Sequence, residues 1–197
     1  TVYVEVTDPA NPNIVGGIDG ITSLWRDIKT YDDYAYVVTE GAGGGLQVVD
    51  LTNIDSGSVT LATTVAGSNT HNVVVDTDSG LLYRVGSGDA QGFVAYDLSN
   101  PANPQLIGNY ATRYIHDAQA VTYGSGPFAG KQIVCAASED GPSGGNPALD
   151  ILDVTDLVAG NGPITLMDQV FYPDGRYAHQ VWLSPDRQYL YLGDELA

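Results

Sequence analysis

Positive charge is scarce in this chain of 197 residues: two lysines and five arginines face 24 acidic residues, for a net charge of −17. Such a charge repels phosphate backbones and anionic headgroups, which excludes nucleic acid and membrane surfaces as partners. A single cysteine, Cys135 in "KQIVCAAS", excludes an internal disulfide and reads as a buried, inert thiol. No apolar run approaches the eighteen or so residues that a membrane helix needs, so direct helical insertion is excluded as well. Glutamate is rare among the acids, at four of 24, and aspartate favours turns where glutamate favours helices. What is plentiful is glycine, with 24 residues, beside 10 prolines and 43% apolar residues, a composition of strands and turns long enough for one core. The first residue is Thr1 rather than Met, which fits either a processed secreted protein or an excised fragment, while the acidity and the scarcity of lysine favour a secreted origin.

The apolar residues alternate, and the alternation repeats. "TVYVEVTDPANP" (1–12), "LQVVDLTNI" (46–54), "FVAYDLSNPANP" (93–104) and "LDILDVTDL" (149–157) share alternating apolar residues, an acid, an apolar residue, Thr or Ser, then Asp or Asn. The acids in register are Glu5, Asp50, Asp97 and Asp153, spaced by 45, 47 and 56 residues. A second series, "LWRDIKTY" (24–31), "THNVVVDT" (70–77), "IHDAQAVTY" (115–123) and "AHQVWLSP" (178–185), aligns Arg26, His71, His116 and His179 at spacings of 45, 45 and 63. Each member of this second series leads through a polar turn into another strand, so one unit reads as strand A, turn, strand B, loop, strand C with the acid, and a short strand D.

Four antiparallel strands per 45 residues define a β-propeller blade. The expected units are a blade end at 1–20, blades at 21–67, 68–111 and 112–175, and a blade start at 176–197. Gly- and Pro-rich stretches at 138–150 and 158–175 read as loop insertions in the third full blade. The two end segments would either complete each other as one composite blade or mark cuts through a larger propeller. The cut is the preferred reading, because four blades are the small extreme of the range.

The stretches "VTDPANPNIVG", "WRDIKTYDDYAYVVTEGAGGGLQVVDLT", "HNVVVDTDSGLLYRVGS", "HDAQAVTY", "VCAASED" and "HQVWLSPDRQYLYLGDEL" resemble the choice-of-anchor B family, whose members carry LVIVP-type repeats. They cover nearly the whole chain in family order. The resemblance implies an exported, propeller-like bacterial protein, often anchored at the cell surface and longer on both sides than this chain. It implies no established activity.

In a propeller the first strand of each blade lines the axial channel. Arg26, His71, His116 and His179 then form a ring, with Asp27, Asn72, Asp117 and Gln180 beside them, and the ring takes up every histidine in the chain. Three readings follow: hydrogen bonds that lock neighbouring blades, which rank first; a divalent-metal or small polar ligand site; and catalysis. Imidazole suits a transition metal, although Arg26 cannot ligate one. Near the ends of strand B lie Glu40, Glu139 with Asp140, and Asp194 with Glu195, expected at the opposite end of the channel or at its rim, where Ca²⁺ could find oxygen ligands. The metal candidates are therefore His71, His116, His179, Glu139, Asp194 and Glu195. A metal-dependent hydrolase would use the three histidines as ligands and Glu139 or Asp117 as base.

Other patterns read as structure. "DTDSG" (76–80) is a hairpin turn rather than a calcium loop, "EGAGGGLQ" (40–47) lacks the Lys-Ser/Thr and helix of a phosphate loop, and no spacing singles out a nucleophile triad. The acids of strand C are expected to cap the turns that follow them. The functional expectation is a binding or scaffold module of an exported propeller, meeting a protein or small polar ligand at its loop face. The alternatives are the hydrolase and a self-assembling subunit of an extracellular structure.

Overall fold

A computed structural model describes residues 1–196. Three four-stranded antiparallel sheets follow one another along the chain. The first holds β3 (Arg26–Tyr31), β4 (Tyr34–Thr39), β5 (Leu46–Asp50) and β6 (Thr60–Val65); the second holds β7 (Thr70–Asp76), β8 (Leu81–Ser87), β9 (Ala90–Asp97) and β10 (Gln105–Tyr110). The third holds β11 (Tyr114–Thr122), β12 (Gln132–Glu139), β13 (Ala148–Asp153) and β14 (Thr165–Phe171), with one helical turn, α1 (Thr155–Val158), before β14. A two-stranded sheet lies at each end: β1 (Val2–Glu5) with β2 (Asn13–Gly17), and β15 (Ala178–Leu183) with β16 (Leu190–Asp194). Strand order within each full sheet is the chain order, as in a propeller blade.

The innermost strands β3, β7, β11 and β15 pack on one another in succession, so strand A of each blade lines the axis. Both faces of a blade are covered by its neighbours, which is why the central strands are apolar on both sides. Four cores fill the gaps. Tyr3, Val37 and Val49 pack between the first end sheet and blade one, and Val38, Val48, Leu82 and Val94 between blades one and two. Tyr83, Phe93, Val134 and Leu152 pack between blades two and three, and Val121, Cys135 and Val181 between blade three and the last sheet. Cys135 is free and buried, and burial pushes its thiol up to about 11.

The acids of strand C cap turns at three of the four expected positions. Asp50 accepts from the Thr52 amide, Asp97 from Ser99 and Asp153 from Thr155. At the first unit the work passes to Asp8, which accepts from the Ala10 amide, while Glu5 makes no such bond among the described residues. "DTDSG" is the β7–β8 turn, with Asp76 accepting from the Asp78 amide and the Ser79 hydroxyl.

One expectation needs correction, and of the two readings of the end segments the less favoured one falls away. Residues 158–175 are not only a surface insertion, because 165–171 form β14, the outer strand of blade three. That strand lacks the alternation of the inner ones because it is exposed along most of its length. The two end sheets also do not join as a composite blade: β1–β2 and β15–β16 are separate sheets that pack on opposite ends of an arc.

Candidate functional site

The antiparallel hairpin of strands A and B sets the site. It brings the first residue of A against the last residue of B: Arg26 faces Thr39, Tyr114 faces Glu139 and Ala178 faces Asp194. The strand B acids therefore lie at the same end of the channel as the histidines, which overturns the opposite-end alternative and leaves the rim. Here an open cavity of about 590 Å³ is walled by Trp25, Tyr114 and Tyr177 and carries His71, His116, His179, Glu40 and Glu195.

Register irregularities aim the histidines. The β11–β12 pairing shifts by one residue between Ile115 and Asp117, and the β15–β16 pairing shifts between Ala178 and Gln180. His116 and His179 are the extra residues at these bulges, and a bulge turns its side chain away from the regular pleat. The β3–β4 pairing has no such shift, and Arg26 turns aside to donate to the Ile21 carbonyl. Gly86, with φ of +60°, completes the cavity floor: a Cβ there would lie 2.8 Å from the His71 Cβ.

The three rings lie in a row, each tilted against the next. His71 and His116 have ring centroids 4.2 Å apart, and His116 and His179 are at 4.5 Å, while Tyr177 meets His116 edge-on at 5.4 Å. His116 is only 5% exposed, and its Nδ1 lies 2.8 Å from the His179 carbonyl. A carbonyl only accepts, so Nδ1 carries the hydrogen and Nε2 the lone pair. Burial, with neighbouring His71 adding to it, pushes this imidazole down to about 4, so it is neutral at neutral pH. His71 Nδ1 lies 2.5 Å from Glu40 Oε1 across the blade boundary, and His179 Nε2 lies 3.9 Å from Glu195 Oε2. The ligating atoms of His116, His179 and Glu195 all fall within 4.8 Å of one another.

The remaining candidates lie elsewhere. Glu139 is fully buried, one carboxylate oxygen accepting the Ala178 amide and the other unpartnered, and burial pushes it up to about 6. Asp194 accepts from the Tyr172 hydroxyl and from the amides of Arg176, Tyr177 and Leu196; against burial, these bonds hold its carboxyl well below the usual range. Asp140 pairs with Arg113 at 2.6 Å. The acids of strand B therefore do not converge into an oxygen cage for Ca²⁺. Asp117 and Gln180 line a separate cavity with Lys29 and Trp182, so neither Asp117 nor Glu139 stands where a base would serve the histidines.

Two of the four residues beside the ring, Asp27 and Asn72, bridge the blades, and so does Gln119 further along β11. Asp27 accepts the Val73 amide of blade two, Asn72 donates to the His116 carbonyl of blade three, and Gln119 accepts the Leu183 amide of the last sheet. Sequence reasoning missed Arg84. It is fully buried and donates to Thr70, Tyr96, Ser68 and Asp89, and its one signal is a lone cation in the apolar run "LLYRVGS".

The sheets, their order and the axial inner strands define a β-propeller repeat protein. The LVIVD repeat pattern matches it over residues 25–61 and 88–112. Among solved structures the chain is similar to a protein from Lactobacillus plantarum (TM-score 0.66, 16% identity, covering 96% of this chain and 54% of that one). It is also similar to a chain of a nidogen/laminin complex (0.54, 8%, 95% and 62%) and to TolB from Acinetobacter baumannii (0.51, 17%, 97% and 42%). These identities carry the fold alone, and the chain spans between 42% and 62% of those proteins' lengths. No curated protein matches the chain.

Proposed function

We propose that the chain is a binding module of an exported, cell-surface bacterial protein of the choice-of-anchor B type, and that it recognises a polar ligand at the histidine mouth of its channel. One observation carries this reading: three blade-start histidines, two carboxylates and three large aromatic residues converge on one cavity, within the 300 to 1,000 Å³ typical of ligand pockets. The net charge of −17 and the scarcity of lysine support export and argue against anionic partners. The nidogen/laminin complex gives a protein-binding precedent for the fold.

Arrays of peptides and oligosaccharides probed with the purified chain test the reading. Hits that vanish with Trp25→Ala and Tyr177→Ala, the fold unchanged by circular dichroism, support it; hits indifferent to both substitutions, or no hits, overturn it. A second reading, a subunit of an extracellular assembly, draws on Trp182, Tyr189 and Tyr191, each about two-thirds exposed on the last sheet. Concentration-dependent growth in light scattering that Trp182→Ser abolishes would favour it.

A further inference from the structure

We propose that His116, His179 and Glu195 bind a divalent transition metal of the zinc class, with the remaining coordination positions open to the cavity. This rests on reading the mouth as a ligand site and names what the mouth holds.

The first argument is the tautomer. The His179 carbonyl takes the Nδ1 hydrogen of His116 and leaves Nε2 bare. A ring whose far nitrogen is tied to a carbonyl is the arrangement found behind metal-bound histidines, because it fixes both the ring and the lone pair. The same bond joins two ligands of the set, since the backbone of one orients the side chain of the other.

The second argument is distance. Bonds of about 2.0 to 2.1 Å in a tetrahedron place ligand atoms about 3.3 Å apart. His179 Nε2 and Glu195 Oε2 stand at 3.9 Å, and the whole set lies within 4.8 Å. The closure needed is small and falls on the side chains free to make it: His179 is 37% exposed and Glu195 53%, whereas His116 is held.

The third argument is chemistry. Two imidazoles and one carboxylate suit a first-row divalent metal and fall short of the six to eight oxygens that Ca²⁺ takes. No lysine or arginine lines the cavity, so no fixed cation competes for the position, and Glu40 adds a second negative charge through His71. Three protein ligands with open positions form the pattern of a metal that meets a ligand, in contrast to the closed four-ligand structural site.

The test strips the full chain with a chelator and titrates it with Zn²⁺ and Co²⁺. One metal per chain by elemental analysis, and visible absorption from four- or five-coordinate Co²⁺, are expected. Glu195→Gln and His179→Ala, at side chains exposed enough to spare the fold, should each weaken binding by at least about tenfold, the loss that even outer-shell changes cause. His116→Ala should abolish binding; if that variant does not fold, the other two decide. Absence of stoichiometric metal, or wild-type titration by both exposed variants, overturns the proposal. A chain that binds no metal while its array hits still depend on Trp25 and Tyr177 loses the metal and keeps the mouth; one that shows neither loses both.

Discussion

Blade two and the last sheet begin with the same hairpin, "HNVVVDTDSGLLYRVGS" in one and "AHQVWLSPDRQYLYLGDE" in the other, yet their surroundings differ at every level. In blade two, β8 is buried along nearly its whole length, between β7 and β9 within the sheet and between blades one and three across it. In the last sheet β16 is nowhere fully buried, and Trp182 and Tyr191 stand about two-thirds exposed. The hairpin supplies direction and register; the neighbours supply rigidity. The mouth inherits both qualities, with His116 fixed on a middle blade and His179 and Glu195 adjustable on the last sheet.

The comparison can be broken most forcefully at Arg84. Arg84→Ala leaves the buried Thr70 and Tyr96 hydroxyls without their partner, opens a cavity and frees the exposed Asp89, and the expected loss is about 3 to 5 kcal/mol in urea unfolding. A loss below about 1 kcal/mol would mean that blade two owes little to its buried network.

A second test uses pH, because His116 in the mouth and the buried Glu139 outside its lining titrate in opposite senses. His116 is held down at about 4 in the fold against an ordinary 6.5, so the unfolded chain binds the extra proton between those values and stability falls as pH drops through that window. Glu139 is held up at about 6 against 4.5, so the folded chain keeps the extra proton there and stability falls as pH rises through its own window. The histidine shift is the larger, so within this pair the histidine sets the sign and stability should rise with pH between 4.5 and 6. His116→Gln should reverse that slope and Glu139→Gln should steepen it, read from thermal unfolding across the range. Unchanged slopes in both variants would remove these groups from the pH response.

The smallest effect is expected at Trp182. Replacing it with alanine should shift stability by no more than about 0.5 kcal/mol, as for surface positions outside special features. A loss comparable with that at Arg84 would show that the last sheet is covered in solution, and would erase the contrast drawn above.

The repeat, the hairpin order and the shared slot of the three histidines were legible in the sequence because alternation and spacing are local properties. The fate of each carboxylate was not. Glu139 and Glu195 look alike as strand-end acids, but the Ala178 amide, 39 residues away in the chain, claims one and leaves the other free. The meeting of strand B acids with strand A histidines does follow from antiparallel pairing, and the opposite-end alternative overlooked it. The bulges at His116 and His179 leave no mark in composition or period, since one extra residue disturbs the partner strand and not the pattern. Strand β14 was hidden because an exposed outer strand has little reason to alternate.

The side-chain-to-backbone bridges between successive first strands run one way along the chain. Asp27 waits for the Val73 amide, Asn72 for the His116 carbonyl, His116 for the His179 carbonyl and Gln119 for the Leu183 amide. In each case the side chain is made first and its backbone partner later. As the polypeptide leaves the ribosome, every blade therefore emerges with an unmet polar group at its inner edge and closes only when the next first strand arrives.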